Sequence, residues 1–430
     1  MTTSSIAIAI LLISFVVLVL LKVPVTFSLA ISSIVTAIYY DVPLMLIAQR
    51  MIKGIESSSL LAIPFFILAG EIMSQGGISR RLIEFSNAII GRVRGGLAQV
   101  NILSSMFFGG ISGSAVADVS SIGSVLIPMM KKDGYDSDYS VGVTVTSACQ
   151  GVIIPPSHNM IIYSVAAGGV SVGRLFLAGI VPGIMLGLGI MIVSYIIAVK
   201  RNYPKGRKMS LKDKFKITVN AFLGLLTAVI IVGGVMTGKF TATESAAVAS
   251  LYAFLVTFFV YREIPLKRMK SILYNSLKTL SLVLGLIAAA SAFGHMLALL
   301  RVPTLATNAL LNVTDNKFLL LLLVITLVLL LGCIMDMAPL ILILTPILLP
   351  VVTSLGMDPV QFGVVLILNL GIGLCTPPVG SALYVGSAIG KVSLERMTKS
   401  LLPFYGVMIG VLLLITYVPA ITLFLPNLFS

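Results

Sequence analysis

Tryptophan is absent from the 430 residues, histidine occurs twice, cysteine three times, and charged residues make up only 10% of the chain. A soluble globular chain carries about a quarter charged residues, so this composition excludes that class. Cys149, Cys333 and Cys375 sit in apolar or glycine-rich stretches without metal-ligand spacing, which leaves no disulfide framework and no zinc site. Acids are also scarce, 15 against 29 Lys and Arg, giving a net charge of +14. The bases are scattered between apolar runs and form no groove for nucleic acid; membrane topology accounts for them better. No HExxH, Walker-type GxxxxGK[ST] or GxSxG occurs, so zinc proteolysis and ATP hydrolysis have no support.

What the chain has is hydrocarbon: 58% apolar residues and a mean hydropathy of +1.11. Runs such as Ile6 to Leu21, Leu319 to Leu331 and Val407 to Leu425 are of the length and composition of spanning helices. They do not alternate as barrel strands do. The first run has neither a basic leader nor a small-residue cleavage site and reads as a retained helix.

An internal repeat organises the chain at an offset of 222 residues. Pro43 matches Pro265, Gly110 matches Gly332, Pro128 matches Pro350, Gly134 matches Gly356 and Asp136 matches Asp358. Gly151 matches Gly373, Pro155-Pro156 matches Pro377-Pro378, Ser171 matches Ser393 and Arg174 matches Arg396. The first copy is expected at 1–199, with an arm at 41–57, a hairpin at 95–130 and a broken helix at 138–166. A basic cytoplasmic connector at 200–217 leads to the second copy at 218–430, with an arm at 263–278, a hairpin at 316–352 and a broken helix at 360–388. The arms carry charges at intervals incompatible with spanning and are expected to lie along the membrane surface. The expected fold is an all-α multi-pass membrane protein of two inverted repeats, about five spans each, with two re-entrant hairpins and two Pro-Pro-broken helices.

Loop charges orient this arrangement. With ten crossings and both termini outside, 23 of the 29 Lys and Arg fall inside and 6 outside: Arg50, Lys53, Arg174, Lys239, Arg301 and Lys317. The competing topology, in which both hairpins cross fully, moves several basic clusters outward.

Chemistry is expected at four interruptions. Phe108 to Asp118, with Gly109-Gly110 and Ser112-Gly113-Ser114, and Gly332 to Pro339 both break an apolar run with Gly and small or acidic residues, as hairpin tips do. Gln150 to Asn159 and Gly371 to Ser381 contain the Pro pairs, which remove helical N–H donors and clash with the preceding turn. Unwound backbone at membrane depth is tolerated only where it is buried in protein or lines a cavity. Its free carbonyls can hold a cation, while half-helix N-termini face an anion. Pairing each tip with the break of its own copy predicts two ion sites: Ser112, Ser114 and Asp118 with Gly151 and Ile154, and Gly332 and Asp336 with Gly373 and Thr376. Ser157, His158, Asn159 and Ser381 are candidates for hydrogen-bonding a polar solute.

At these residues the chain resembles the large membrane subunit (DctM type) of tripartite ATP-independent periplasmic transporters, within the ion transporter superfamily. The resemblance covers essentially the whole chain. It implies elevator-type uptake across a bacterial inner membrane, driven by sodium ions at two or more sites, with no organic cofactor. It further implies an organic anion, sialic acid or a C4-dicarboxylate, delivered by a periplasmic substrate-binding protein. A separate small four-helix membrane subunit would complete a heterodimer; with no such helices ahead of Ile6, it is expected to be another polypeptide.

Each candidate also has a plain structural reading. Asp118 and Asp336 either line an ion site or cap the helix leaving each hairpin. Glu244, in Thr241-Ala-Thr-Glu, reads as a first-turn capping acid, and Glu71 as a scaffold or partner contact. His295 reads as a packed residue. A serine protease at Ser112-Gly113-Ser114 lacks a general base. Two alternatives remain beside the family reading: a self-sufficient dicarboxylate symporter or antiporter, and a membrane enzyme or scaffold with no transport cycle.

Overall fold

A computed structural model describes residues 3–206, 209–314 and 316–429, with the side chains of Ser59, Ile111 and Leu311 set aside. Arg207 and Lys208 of the basic connector, and the terminal residues Met1, Thr2 and Ser430, lie outside the described residues. The described chain is helical, apart from an isolated bridge between Arg94 and Lys205. Seven helices are long and apolar enough to cross a bilayer by length and composition.

Element boundaries recur at the repeat offset. The broken helices start at Ser137 and Pro359, the helices after them at Val172 and Leu394, and the second limbs of the hairpins at Ala115 and Met337. The hairpins run as Gly96–Ser112 with Ala115–Asp118 onward, and as Lys317–Gly332 with Met337–Ser354. The broken helices are Ser137–Gln150 with His158–Ala166, and Pro359–Leu374 with Ser381–Gly390.

Three features depart from the expected layout. The second arm is not a separate segment: a single turn Leu266–Arg268 continues into one helix, Met269–Leu299, that includes the following span. In the first copy Leu44–Ile55 ends at Glu56, and a short turn Ser58–Leu61 restarts the chain as Ala62–Gln75. Each copy also has an extra helix before its hairpin, Ile78–Ile90 and Val302–Leu311. Finally, the apolar run 407–425 is divided at Val418, where Pro419 starts a new helix.

Packing sorts the helices into two groups. Thr3–Leu20, Val25–Tyr39, Leu44–Ile55, Ala62–Gln75, Leu211–Met236, Ala242–Leu255 and Met269–Leu299 pack on one another. Both hairpins and both broken helices pack together with Val172–Lys200 and Leu394–Tyr417. Thr241 and Glu244 form the expected capping box, a cap of about 1 kcal/mol. Loop ends gather at two poles. At one, Arg81 pairs with Glu263 at 2.7 Å and lies 3.7 Å over the Tyr261 ring, while Lys131 Nζ donates to the Gly390 carbonyl at 3.1 Å. At the other, Arg174 donates to Asn427 Oδ1 at 3.4 Å and Tyr417 Oη to the Phe318 carbonyl at 2.7 Å. The connector is fastened at the first pole: Arg201 and the Tyr203 hydroxyl each donate to Asp136 Oδ2 at 2.7 Å, and Gly95 N–H donates to the Pro204 carbonyl at 3.0 Å.

Candidate functional site

Each hairpin tip rests on the break of its own copy. In the first, the chain turns at Gly113, whose φ of +62° is costly for a residue with a β-carbon. Ser114 then caps the second limb, its hydroxyl accepting from Ala117 N–H at 3.3 Å. Asn159 Nδ2 donates to the Gly113 carbonyl at 3.2 Å, and a β-carbon on Gly113 would stand 2.9 Å from His158 Nδ1. A β-carbon on Gly109 would collide with the backbone of Gly151. Gly109 and Gly113, which the sequence marks as part of the tip but not of the ion-site set, therefore belong to the site.

In the second copy Gly373 packs on Gly332, and Val379 N–H donates to the Cys333 carbonyl at 3.0 Å. A buried amide also staples each broken helix to the first limb of its hairpin. Gln150 Nε2 donates to the Ile102 carbonyl and Asn369 Nδ2 to the Ile325 carbonyl, each at 2.8 Å.

The first break leaves free the oxygens expected of it, whereas in the second the Gly373 carbonyl already accepts from Thr376 N–H at 2.9 Å. Among the described residues, the carbonyls of Gly151 and Ile154 accept no backbone hydrogen bond. Ser112 and Ser114 line a cavity at the first tip, and Thr376 Oγ1 donates to the Ile372 carbonyl at 2.7 Å. Neutral hydroxyl and carbonyl oxygens beside a glycine-backbone contact are ligands that a hard cation could use. Among the described residues no cluster of three or more His, Cys, Asp or Glu is placed to hold a metal ion.

Of the two acids, Asp118 is 1% exposed, lies beside Ser105 of the first limb, and lines no part of the tip cavity. Neither of its carboxylate oxygens has a hydrogen-bond partner among the described residues. Asp336 occupies the N-cap position of Met337–Ser354 but is exposed and makes no side-chain capping bond. Its plain reading as a cap therefore holds in position only.

Of the solute candidates, Ser157 is committed locally, its hydroxyl donating to the Val152 carbonyl at 2.7 Å, and Asn159 is committed to Gly113. Ser381 Oγ is buried and has no hydrogen-bond partner among the described residues. His158 lines a cavity of about 300 Å³ with Ser112 and Ser114 on one wall and Phe66, Gly70, Glu71 and Thr279 on the other. Glu71, expected from the sequence only as a scaffold or partner contact, is thus a cavity residue. Its Oε1 accepts from Gln75 Nε2 at 2.6 Å and Asn275 Nδ2 at 3.0 Å, so it also ties the wall together. His295 lies on Met269–Leu299, half-buried and away from this cavity.

The comparisons agree on what kind of protein carries this arrangement. Residues 12–421 match the family described as tripartite ATP-independent periplasmic transporter, DctM component. The sialic acid TRAP transporter large permease protein SiaM of Vibrio cholerae is 41% identical over 89% of each chain. The C4-dicarboxylate TRAP transporter large permease protein DctM of Pseudomonas aeruginosa is 39% identical, also over 89% of each. Among solved structures, the YdaH transporter of Alcanivorax borkumensis superposes with a TM-score of 0.64 at 14% identity, covering 87% of this chain and 88% of that one, a likeness of fold alone. With a family match over nearly its full length and an all-helical membrane fold, the chain belongs to the DctM family of tripartite ATP-independent periplasmic transporters: it is the large permease subunit of a transporter and not an enzyme.

Proposed function

We propose that this subunit carries an organic anion inward across the bacterial inner membrane, driven by sodium and working as an elevator. The observation that carries this reading is a glycine-on-glycine contact of tip and break in each copy, Gly109 on Gly151 and Gly332 on Gly373; the break glycines are related by the 222-residue offset, and the tip glycine in contact stands one position earlier in the first copy. Sodium would be held by Ser112, Ser114 and the carbonyls of Gly151 and Ile154 in one copy. Gly332, Gly373 and Thr376 would hold it in the other. Asp118 and Asp336 then act through charge near the sites. The solute would lie in the cavity at His158. The relatives that transport sialic acid and C4-dicarboxylates support an organic anion as cargo. Membership in a tripartite family supports delivery by a periplasmic binding protein and a small membrane subunit as partner. The charge count supports inverted repeats with both termini periplasmic.

The elevator motion is supported by an offset in register. At one end of the interface between the two packing groups, a cavity touches the first tip at Ser112, Ser114 and Ala117. At the other end, the cavity beside Gly54 and Ile287 meets Leu342 and Pro346, beyond the second tip along its second limb. The hairpin body is thus displaced toward the pole of the first hairpin, which the loop charges put inside.

Uptake into proteoliposomes holding this chain and the small subunit tests the reading, with an inward sodium gradient and labelled sialic acid and succinate offered side by side. Uptake requiring both sodium and the binding protein is expected. Uptake by this chain alone would make it a self-sufficient symporter, and uptake indifferent to sodium would remove the coupling.

A further inference from the structure

At the pole opposite the first tip, two cavities adjoin between the arm helix Leu44–Ile55 and the hairpin body, sharing Gly54, Val165 and Ser291. The outer one, about 380 Å³, has Arg50, Lys53 and Ser57 on its arm side and the Gly168-Gly169 turn across from them. The inner one, about 210 Å³, continues between Ile287, Ala290, Leu342 and Pro346 and is apolar.

Arg50 and Lys53 stand three residues apart on one helix face, where like charges repel. Neither forms a salt bridge among the described residues. Glu56, the acid on the next turn, is exposed and does not line the cavity. The repeat shows that the arm fold does not demand these cations: at the 222-residue offset Arg50 becomes Ile272 and Lys53 becomes Asn275. Across the cavity, Gly168 and Gly169 have φ of +80° and +99°, and a β-carbon on either would meet nothing within 4 Å, so this wall is open backbone. Two unpaired cations at the mouth of an apolar chamber are what a carboxylate with a carbon skeleton requires.

We infer that this two-part cavity is a receiving site for a small organic carboxylate, separate from the cavity at the first tip. Arg50 and Lys53 hold the carboxylate and the inner chamber takes the carbon skeleton while the hairpin body is displaced toward the opposite pole. The inference rests on the proposed orientation, which puts this pole outside the cell, but its test does not depend on transport.

The test uses the chain with its small subunit in phosphatidylcholine liposomes. Cys149, Cys333 and Cys375 are replaced, and Ser57→Cys or, in a second variant, Ser291→Cys is the reporter. A negatively charged thiosulfonate should react faster than a positively charged one of similar size, by about fivefold, because two unscreened cations concentrate anions locally. Succinate or sialic acid, added without binding protein, should slow a neutral maleimide by about the same factor, whereas neutral 1,4-butanediol should not. Both effects should vanish with Arg50→Gln and Lys53→Gln together. Equal thiosulfonate rates, or no protection by either acid at both reporters, would overturn the site. Protection by phosphatidylglycerol in place of the acids would make it a lipid headgroup site and likewise overturn the inference, as would protection seen only with binding protein. Protection without sodium-driven uptake would leave this site standing and sink the transport mechanism instead.

Discussion

Gly373 meets Gly332 backbone to backbone: a β-carbon on Gly373 would stand 2.5 Å from the Gly332 carbonyl carbon and 2.6 Å from its oxygen. Neither atom is the end of a flexible side chain, so an added methyl must push the tip off the break. Gly373→Ala is therefore expected to raise the sodium needed for half-maximal uptake more than tenfold, a cost of at least 1.4 kcal/mol in the coupled cycle. Gly406→Ala, where a β-carbon meets nothing within 4 Å, should behave as wild type and serves as control. A sodium response unchanged in Gly373→Ala would remove the second tip-on-break pair from the mechanism.

Asp336 should matter less than Gly373. It is exposed at the N-cap of the second limb, where its charge biases a nearby cation through a partly screened field. Asp336→Asn is expected to shift half-maximal sodium by about twofold to threefold, within reach of added salt. A shift as large as that of Gly373→Ala would make the carboxylate a direct ligand.

Asn369 staples the second hairpin to its broken helix through the Ile325 carbonyl, buried from water. Asn369→Leu removes the bond and the donor together, so a loss of about 1 kcal/mol is expected, read as a lower thermal midpoint in detergent. A matching loss is expected for Gln150→Leu, whose amide donates to Ile102. Unchanged midpoints in both variants would show that the staples are incidental.

Acid should loosen the connector. The Tyr203 hydroxyl, and after it Arg201, hold the Asp136 carboxyl below the usual carboxylate range. A depressed folded-state pKa stabilises above the unfolded value of about 3.9, and that contribution is lost as pH falls through the folded value. The difference in thermal midpoint between the parent and Asp136→Asn should be constant above about pH 5 and shrink toward zero on acidification below about pH 4. A difference that persists at lower pH would mean that Asp136 acts by packing alone.

Relative motion of the two packing groups can be trapped. Cysteines at Val165 and Ser291, which line the same two cavities from opposite groups, should stop uptake when bridged by a short bismaleimide in a background lacking the three native cysteines. A bridge between Gly142 and Ser400, which touch within the hairpin body, should leave uptake intact. Equal uptake with both bridges would exclude a sliding body.

Much of this was legible in the chain because Gly and Pro act on the backbone where they stand. Pro155-Pro156 and Pro377-Pro378 had to interrupt their helices, and Gly109, Gly151, Gly332 and Gly373 mark where two backbones approach too closely for side chains. An amphipathic helix at Leu44–Ile55 and the Thr241–Glu244 cap were readable for the same local reason. What each side chain faces is another matter. Asp118 follows the tip by four residues in sequence, yet it is buried beside Ser105 just ahead of a π-helical stretch, Val119–Gly123, that changes the rotation of the limb. The second arm flows into its span because packing on neighbouring helices carries Met269–Leu299 straight through; Pro265 matches Pro43 at its start, but Leu286 stands where the first copy has Pro64. Sequence by itself determined the membrane class, the repeat and the four breaks, since composition and backbone constraints are local. The tertiary structure alone decided which oxygens meet, that Glu71 and His158 share a cavity, and that Arg50 and Lys53 stand over another without a salt bridge among the described residues, because these depend on helical phase and packing between segments far apart in the chain.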